Sequence, residues 1–308
     1  MSAPVVRDRR DDVPIAEATA SSGRRLWPQE RLSAGYFGVT GVLVALFGRP
    51  FSAWWPVLLL HVGLVALLVL VFPRLPKWGW IQVLRDWAPV LGLTFIYAEI
   101  AILNHLFTTG DHDAVIQRAE LALFGTQPSV TLRELLPWKP LSEYLHFGYI
   151  GYYALIPLLG GSLYLRRRFT AYRYVLTVIL SVFYFCYLCF IVFPVAGPWY
   201  HFPRPEASQV GWLFPYLIRV VLAAGSSKGA AFPSSHVAAA VVMWLLAWRL
   251  ERPLFWVFAA IVPALVVGTV YGGFHYGLDA LTGIVIGILG YLCGPWLYQV
   301  LGGEVVMD

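Results

Sequence analysis

The chain has 308 residues, of which 59% are hydrophobic and 13% are charged, and its net charge at pH 7 is +5. A water-soluble domain has roughly 25% charged residues, so this composition excludes a soluble protein and indicates an integral membrane protein. The basic residues stand between apolar runs, so the net charge does not indicate nucleic-acid binding. The three cysteines also lie inside apolar runs, and a disulfide framework is therefore not expected.

The apolar runs predict an all-α protein, a polytopic membrane helical bundle with about eight transmembrane helices, because a bilayer core needs about 20 apolar residues per helix. The predicted spans are residues 33–48, 53–72, 87–107, 143–165, 172–194, 233–250, 254–272 and 277–300. In the last span, Gly283 and Gly287 form a G-x-x-x-G pattern. Such a pattern favours the close approach of a neighbouring helix backbone.

Basic residues concentrate in alternate connections between these spans: the N-terminal arm and residues 74–85, 166–173 and 249–252. The positive-inside rule makes these connections cytoplasmic, and both chain termini with them. The outer side then holds residues 108–142, 195–232 and 272–276. We expect an integral protein of a bacterial inner membrane or a plasma membrane, whose outer side is the periplasm, the cell exterior or a lumen.

Two parts of the outer connections have apolar residues at helical spacing, residues 114–124 and residues 210–223. Both patterns predict short helices that lie in the membrane interface.

Two histidines stand at opposite ends of one predicted transmembrane hairpin. His236 begins the span 233–250, and His275 follows the end of the span 254–272. An out-and-back hairpin brings these ends to the same side of the membrane. We therefore expect the two imidazoles to face one substrate on the outer side.

Asp279 follows His275 by four residues, so both side chains share one face at the start of a helix. A carboxylate there can hold the proton of one ring nitrogen and leave the other nitrogen as a lone pair, which makes the ring a better nucleophile or base. The alternative is a structural pair that only caps the helix.

Several polar residues near His236 are candidate phosphate ligands. Ser234 and Ser235 stand at a helix start, where backbone N–H groups favour an anion. In the outer connection, Arg204 and Lys228 are candidate cations and Arg219 is a third possibility, while His201 is close enough in sequence to contact a substrate. Each charge also has the simpler interpretation of a solvated loop residue.

Residues 111–113 read Asp-His-Asp, with His105 nearby, which could form a metal cluster. The polarity of an exposed loop explains the same residues without a metal, and we expect no metal site there.

The sequence Pro233–His236, followed one hairpin later by His275 and Asp279, resembles the type 2 phosphatidic acid phosphatase superfamily of membrane enzymes. That family has a three-part signature: Lys-x6-Arg-Pro, Pro-Ser-x-His and Ser-Arg-x5-His-x3-Asp. The second part and the end of the third are matched here.

The chain departs from this signature at two cationic positions. Counting back from Arg204, Gly197 takes the lysine position, and counting back from His275, Gly268 and Thr269 take the Ser-Arg positions. Two phosphate-binding cations of the family pattern are therefore absent.

Residues 193–200 (Phe-Pro-Val-Ala-Gly-Pro-Trp-Tyr), residues 124–128 and the tyrosine-rich residues 149–153 resemble the inositol phosphorylceramide synthase (inositolphosphotransferase) branch. That branch moves a phosphorylated headgroup from one lipid to another. The whole resemblance covers roughly residues 90–300.

The resemblance implies a six-helix core within the bundle. Residues 1–30 are polar and charged, which predicts a disordered cytoplasmic arm. The resemblance divides the remaining chain into two accessory transmembrane helices (31–85) and a catalytic transmembrane domain (86–303). It further implies a phospholipid donor and either a lipid or water as acceptor, with no metal or other cofactor.

The resemblance also implies a role for each matched residue. His275 would attack phosphorus and form a phosphohistidine, and Asp279 would orient His275 and stabilise its charge. His236 would protonate the leaving alcohol and then deprotonate the incoming acceptor. Ser234, Ser235 and nearby cations would bind the phosphoryl oxygens.

The sequence leaves three functions open: a lipid phosphotransferase, a lipid phosphate phosphatase that uses water, and a proton-coupled transporter with His275 and Asp279 as the relay. The absence of internal repeats, and of charged residues spread through several spans, argues against the transporter.

Overall fold

The structure is a computed structural model that describes residues 26–50, 52–76, 79–203, 210–225 and 227–304. Its described residues are mostly helical, and the β-type pairing among them is a single isolated bridge between Val195 and Ala230. The all-α prediction is therefore confirmed.

The main helices, in chain order, are α1 (Pro28–Phe47), α2 (Trp54–Ala66), α3 (Gly79–Leu103), α4 (Asp113–Phe124), α5 (Pro128–Leu135), α6 (Lys139–Leu165), α7 (Phe169–Val192), α8 (Phe214–Gly225), α9 (Ser235–Leu250), α10 (Arg252–Tyr271) and α11 (Gly277–Val300). A π-helical turn and a 3₁₀ turn continue α2 as far as Arg74. The predicted outer helices 114–124 and 210–223 are confirmed as α4 and α8, within a few residues at their ends.

Five helical segments of the described chain are long and apolar enough to cross a bilayer: Trp54–Arg74, Gly79–Leu103, Phe169–Val192, Arg252–Tyr271 and Gly277–Val300. The protein is therefore an integral membrane helical bundle. The three remaining predicted spans also coincide with helices, α1, α6 and α9, and their passage through the membrane stays a prediction.

The first helix begins earlier than the sequence pattern indicates. Pro28 occupies the first turn, where a missing N–H costs nothing, and Glu30 accepts the backbone N–H of Trp27 at 2.8 Å. Residues 28–30 of the predicted arm are therefore helical, and residues 1–25 of that arm lie outside the described residues.

Contacts between Cα atoms divide the chain into two compact units. Among the described residues, the first unit comprises 26–96, 162–181 and 292–304, and the second comprises 97–161 and 182–291. The sequence-based division at residues 30 and 85 stays a prediction.

Buried charges hold the first unit together. Glu30 accepts two hydrogen bonds from Arg85, at 2.5 and 2.7 Å, and both side chains are almost fully buried. Asp86 accepts from Arg173 at 3.3 Å, and the Arg173 guanidinium lies 3.6 Å from the centre of the Trp27 ring. A buried charge without a partner would be costly, and here each carboxylate faces a guanidinium.

Glycines allow the helices of the second unit to pack closely. A Cβ atom added at Gly283 would lie 2.7 Å from the Ser234 carbonyl oxygen, and one at Gly287 would lie 2.6 Å from that of Ala238. The G-x-x-x-G pattern therefore brings α11 against the backbone of α9. Because His236 is in the first turn of α9 and His275 closely precedes α11, this packing sets the separation of the two histidines.

Candidate active site

The start of α9 positions His236. Ser234 is the N-cap residue, and its hydroxyl oxygen accepts the backbone N–H of Val237 at 3.3 Å. The Ser234 N–H in turn donates to the carbonyl oxygen of Asp279 at 3.0 Å. The helix start that carries His236 is thus tied directly to the first turn of α11.

His275 lies in the turn between α10 and α11, where its ring nitrogen Nδ1 is 2.9 Å from the carbonyl oxygen of Ala231. A carbonyl oxygen only accepts, so Nδ1 carries the proton and Nε2 keeps the lone pair. The Asp279 oxygen Oδ2 lies 3.4 Å from the same Nδ1 and accepts the backbone N–H of Tyr276 at 2.8 Å. The carbonyl of Ala231 therefore fixes the tautomer of His275, a role that the sequence pattern predicts for Asp279. Asp279 places a carboxylate beside the ring.

The two imidazoles lie together, with ring centres 6.0 Å apart. Both line an open cavity of about 450 Å³, which we call the histidine cavity. Its wall is rich in aromatic side chains, namely Tyr97, Tyr149, Trp199, Tyr200 and Phe274. The rings of Tyr149 and Tyr152 lie 5.3 and 4.8 Å from the ring of His236. The cavity thus presents two imidazoles on a largely aromatic surface.

Helix α4 fixes the backbone around this cavity through Asp113. Its buried carboxylate accepts the N–H of Ala196 at 2.6 Å, the N–H of Gly197 at 2.8 Å and the hydroxyl of Tyr276 at 2.8 Å. The adjoining Val195 pairs with the backbone of Ala231 through an N–H···O bond of 2.9 Å. Asp113 is therefore connected, through one loop, to the carbonyl that holds the ring of His275.

Two further side chains of α4 contact the His275–Asp279 segment. Gln117 donates to the Tyr276 hydroxyl at 2.8 Å, and Glu120 accepts the backbone N–H of Leu278 at 3.1 Å. The sequence pattern predicts no role for α4 in the site. The signal present in the sequence is a polar stripe at i, i+4 and i+7 of a mostly apolar helix, formed by Asp113, Gln117 and Glu120.

The predicted phosphate ligands are less closely gathered. Ser234 and Ser235 are buried and are not among the described residues that line the histidine cavity. Lys228 has a side chain that is 63% exposed and lies 3.9 Å from Asp111. His201 lies 3.3 Å from Asp113 rather than against His236 or His275. Arg204 lies outside the described residues.

Two arginines line a neighbouring cavity of about 330 Å³, which we call the arginine cavity. They are Arg133 from α5 and Arg219 from α8. From the sequence, Arg219 is only a third candidate cation, and no role is predicted for Arg133. Arg133 lies far along the chain from both histidine motifs, which explains why a search for cations beside those motifs misses it.

Asp111, Asp113 and His201 bring three metal-ligating atoms within 4.8 Å of one another. Both oxygens of Asp113 already accept backbone N–H groups, and one also accepts the Tyr276 hydroxyl. These hydrogen bonds account for the Asp113 carboxylate without a metal ion.

Burial controls the protonation of the groups around the turn. It lowers the pKa of His275 to about 4, although the hydrogen bond to Ala231 acts in the opposite direction. Burial also raises the pKa of Glu120 to about 7, against the hydrogen bond from Leu278. At neutral pH His275 is therefore uncharged, with a lone pair on Nε2 available for attack on an electrophile.

One comparison with known proteins gives a match. A family model described as the PAP2 superfamily matches residues 115–293, which is more than half of the 308-residue chain. The matched residues include His236, His275 and Asp279. No match was found among curated proteins or among solved structures.

Proposed function

This chain belongs to the PAP2 superfamily, and we propose that it is a lipid phosphotransferase, which moves a phosphoryl headgroup between lipids through a phosphohistidine intermediate. Members of the superfamily are phosphatases or phosphotransferases, so membership alone supports an activity of one of these two types on lipids. The observation that supports the proposed mechanism is the pair of imidazoles, whose ring centres lie 6.0 Å apart on one aromatic cavity, with one ring held in a nucleophilic tautomer.

In the first step, the Nε2 lone pair of His275 attacks the phosphorus of the donor. The N–P bond forms while the bond from phosphorus to the leaving oxygen breaks. His236, in its protonated form, gives its proton to that leaving oxygen. Phosphorylation makes the imidazole of His275 cationic, and the Asp279 carboxylate, 3.4 Å from Nδ1, opposes this charge.

In the second step, neutral His236 removes the proton from the acceptor hydroxyl, which attacks phosphorus. The N–P bond breaks, His275 is neutral again, and the donor phosphoryl group is on the acceptor. A transfer between two alcohols needs this reciprocal proton exchange at one imidazole and no net change in charge.

The aromatic wall favours a lipid acceptor over water. Tyr149, Trp199 and Tyr200 belong to the segments that resemble the inositol phosphorylceramide synthase branch, and all three line the histidine cavity. Flat, amphipathic rings suit a lipid headgroup that must be held while water is excluded. The cavity is nevertheless open, and an open cavity also admits water, which keeps a lipid phosphate phosphatase as the second candidate.

We place the histidine cavity at the non-cytoplasmic face and both termini in the cytoplasm, because the basic residues occupy the alternate connections. Single cysteines introduced at exposed positions of the outer connections should react with a membrane-impermeant maleimide in intact cells. Labelling only after lysis would contradict this orientation.

The test of the reaction is a transfer assay. Purified protein is incubated with a phospholipid labelled in its phosphate, with and without ceramide or diacylglycerol as acceptor. A new labelled lipid supports the phosphotransferase. A water-soluble labelled product alone, which is inorganic phosphate from a phosphomonoester donor or a phosphorylated headgroup from a phosphodiester donor, supports transfer to water, as in a phosphatase. His275→Ala and His236→Ala should each abolish turnover, whereas His105→Ala, which changes an exposed histidine, should retain it. Near wild-type turnover in either of the first two variants would remove the role proposed for that residue.

A further inference from the structure

We propose that Arg133 and Arg219 form a second anion-binding subsite, which takes an anionic group of a lipid headgroup other than the phosphorus that is transferred. The inference rests on the proposed function, because it assigns a further substrate contact to the same region of the molecule. It predicts that at least one of the two lipid substrates carries a second phosphate or a carboxylate.

The charge of the arginine cavity is the first argument. Its described wall carries two guanidinium groups together with His146, and no carboxylate. The carboxylate of Glu143 is engaged elsewhere, since it accepts the backbone N–H groups of Trp212, Leu213 and Phe214. The cavity is therefore positively charged, which favours an anion over a neutral ligand.

The environment of Arg133 is the second argument. Burial lowers the pKa of this guanidinium, against the neighbouring Tyr271 and Glu134. Its described hydrogen bond is a long one, 3.4 Å, to the carbonyl oxygen of Ser129. A guanidinium can give two parallel hydrogen bonds to a phosphate or carboxylate, and such an anion would offset the cost of burying the charge.

Arg219 approaches the cavity from α8. The guanidinium lies 6.0 Å from the centre of the Trp199 ring, and Glu143 holds the backbone at the start of the same helix. The helix that carries Arg219 is thus anchored where it begins, one and a half turns before the arginine. Such anchoring reduces the conformational entropy that an anion would have to remove on binding.

The arginine cavity and the histidine cavity share part of their walls. Trp199 and Phe274 line both of them, and their ring centres lie 5.4 Å apart. The ring of Phe274 is 5.1 Å from Tyr149 in the histidine cavity and 6.0 Å from His146 in the arginine cavity. A layer of aromatic rings therefore separates the arginines from the histidines, and the two sites bind different groups of the substrates.

The binding test measures protection of arginines and does not depend on turnover. The full-length protein in detergent is treated with phenylglyoxal, with and without inorganic phosphate, and adducts are measured by mass spectrometry. We expect phosphate to protect Arg133 and Arg219 but not Arg118, an exposed arginine of α4. The protection should persist in His275→Ala.

Two results of this test would overturn the proposal. One is the absence of protection at Arg133 and Arg219. The other is protection that disappears in His275→Ala, because the anion would then bind at the histidine cavity alone. Neither result depends on whether the protein is a transferase.

The selectivity test identifies which substrate carries the anion. Phosphatidylinositol and phosphatidylinositol phosphate form a matched pair of donors, and diacylglycerol and phosphatidylglycerol form a matched pair of acceptors. We expect the double variant Arg133→Gln/Arg219→Gln to lower the kcat/KM preference for the more anionic member of one pair by roughly 10- to 100-fold.

The control variant Arg118→Gln should keep that preference. A change within the donor pair assigns the subsite to the donor, and a change within the acceptor pair assigns it to the acceptor. An unchanged preference within both pairs would overturn the proposal.

Discussion

Asp113 offers a sharp test of how the site is built, because one carboxylate holds three groups around the histidine cavity. Replacing it by asparagine keeps the size of the side chain and one oxygen. That oxygen can still accept the N–H of Gly197 and the hydroxyl of Tyr276, which both contact Oδ1 in the structure. The new amide group would then face the N–H of Ala196, which donates to Oδ2 at 2.6 Å.

The cost follows from these contacts. A hydrogen bond to a charged acceptor contributes about 1.5–3 kcal/mol, and an unsatisfied buried donor costs about 1–3 kcal/mol. Asp113→Asn loses one such bond outright and weakens two others, so we expect a loss of stability of about 2–4 kcal/mol. For a chain of this size, that corresponds to a fall in Tm of roughly 5–10 °C.

The consequence for catalysis follows from the path to His275. Loss of the bond to Ala196 frees the loop that pairs with Ala231, whose carbonyl holds Nδ1 of His275. We therefore expect kcat to fall more than KM rises, because the change disturbs the nucleophile rather than the binding surface.

Thermal unfolding in detergent and steady-state turnover measure both effects. Asp111→Asn is the matched control, since Asp111 is two residues away, partly exposed, and contacts His201 and Lys228 only at 3.9 Å. It should change stability by less than about 1 kcal/mol. If Asp113→Asn behaves like Asp111→Asn in both assays, the network described for α4 does not support the site.

Three further predictions concern other parts of the molecule. Burial lowers the pKa of His275 to about 4, below its unfolded value of about 6.5. This group therefore contributes stability that is present above pH 6.5 and is lost as the pH falls towards 4. Tm measured against pH should show this loss, and His275→Gln should abolish this pH dependence. Glu30→Gln leaves the buried charge of Arg85 without its carboxylate and should destabilise the protein by about 3–5 kcal/mol in denaturant unfolding; an unchanged midpoint would contradict the pairing. Gly283→Ala places a methyl group 2.7 Å from the Ser234 carbonyl oxygen and should cost about 1–3 kcal/mol and reduce turnover, whereas a fully active variant would show that the α9–α11 separation is not critical.

The long helices could be predicted from the sequence because the length of an apolar run is a local property. The start of α1 could not, since Glu30 is polar in sequence and becomes part of a buried helix only through Arg85, 55 residues away. Tertiary pairing of this kind leaves no periodic signal. The same reason explains why the arm was predicted to extend to residue 30.

The histidine pair could also be predicted, because a hairpin of two spans determines which ends meet. The contribution of α4 could not. A polar stripe on a short helix predicts equally well a face turned to water and a face turned to the protein, and only the fold shows that Asp113 and Glu120 point towards the turn of His275. Arg133 was missed because proximity in space to the site has no counterpart in the chain order.

The most direct test of nucleophilic catalysis by His275 is to trap the covalent phosphohistidine. The protein is mixed with a donor labelled in its phosphate, quenched within milliseconds in alkali, digested and analysed by mass spectrometry. We expect an acid-labile phosphate on His275 in the wild-type protein. It should be absent in His275→Ala and strongly reduced in His236→Ala, because His236 protonates the leaving oxygen as the intermediate forms. A labelled phosphate on another residue, or turnover without any phosphorylated histidine, would contradict this mechanism.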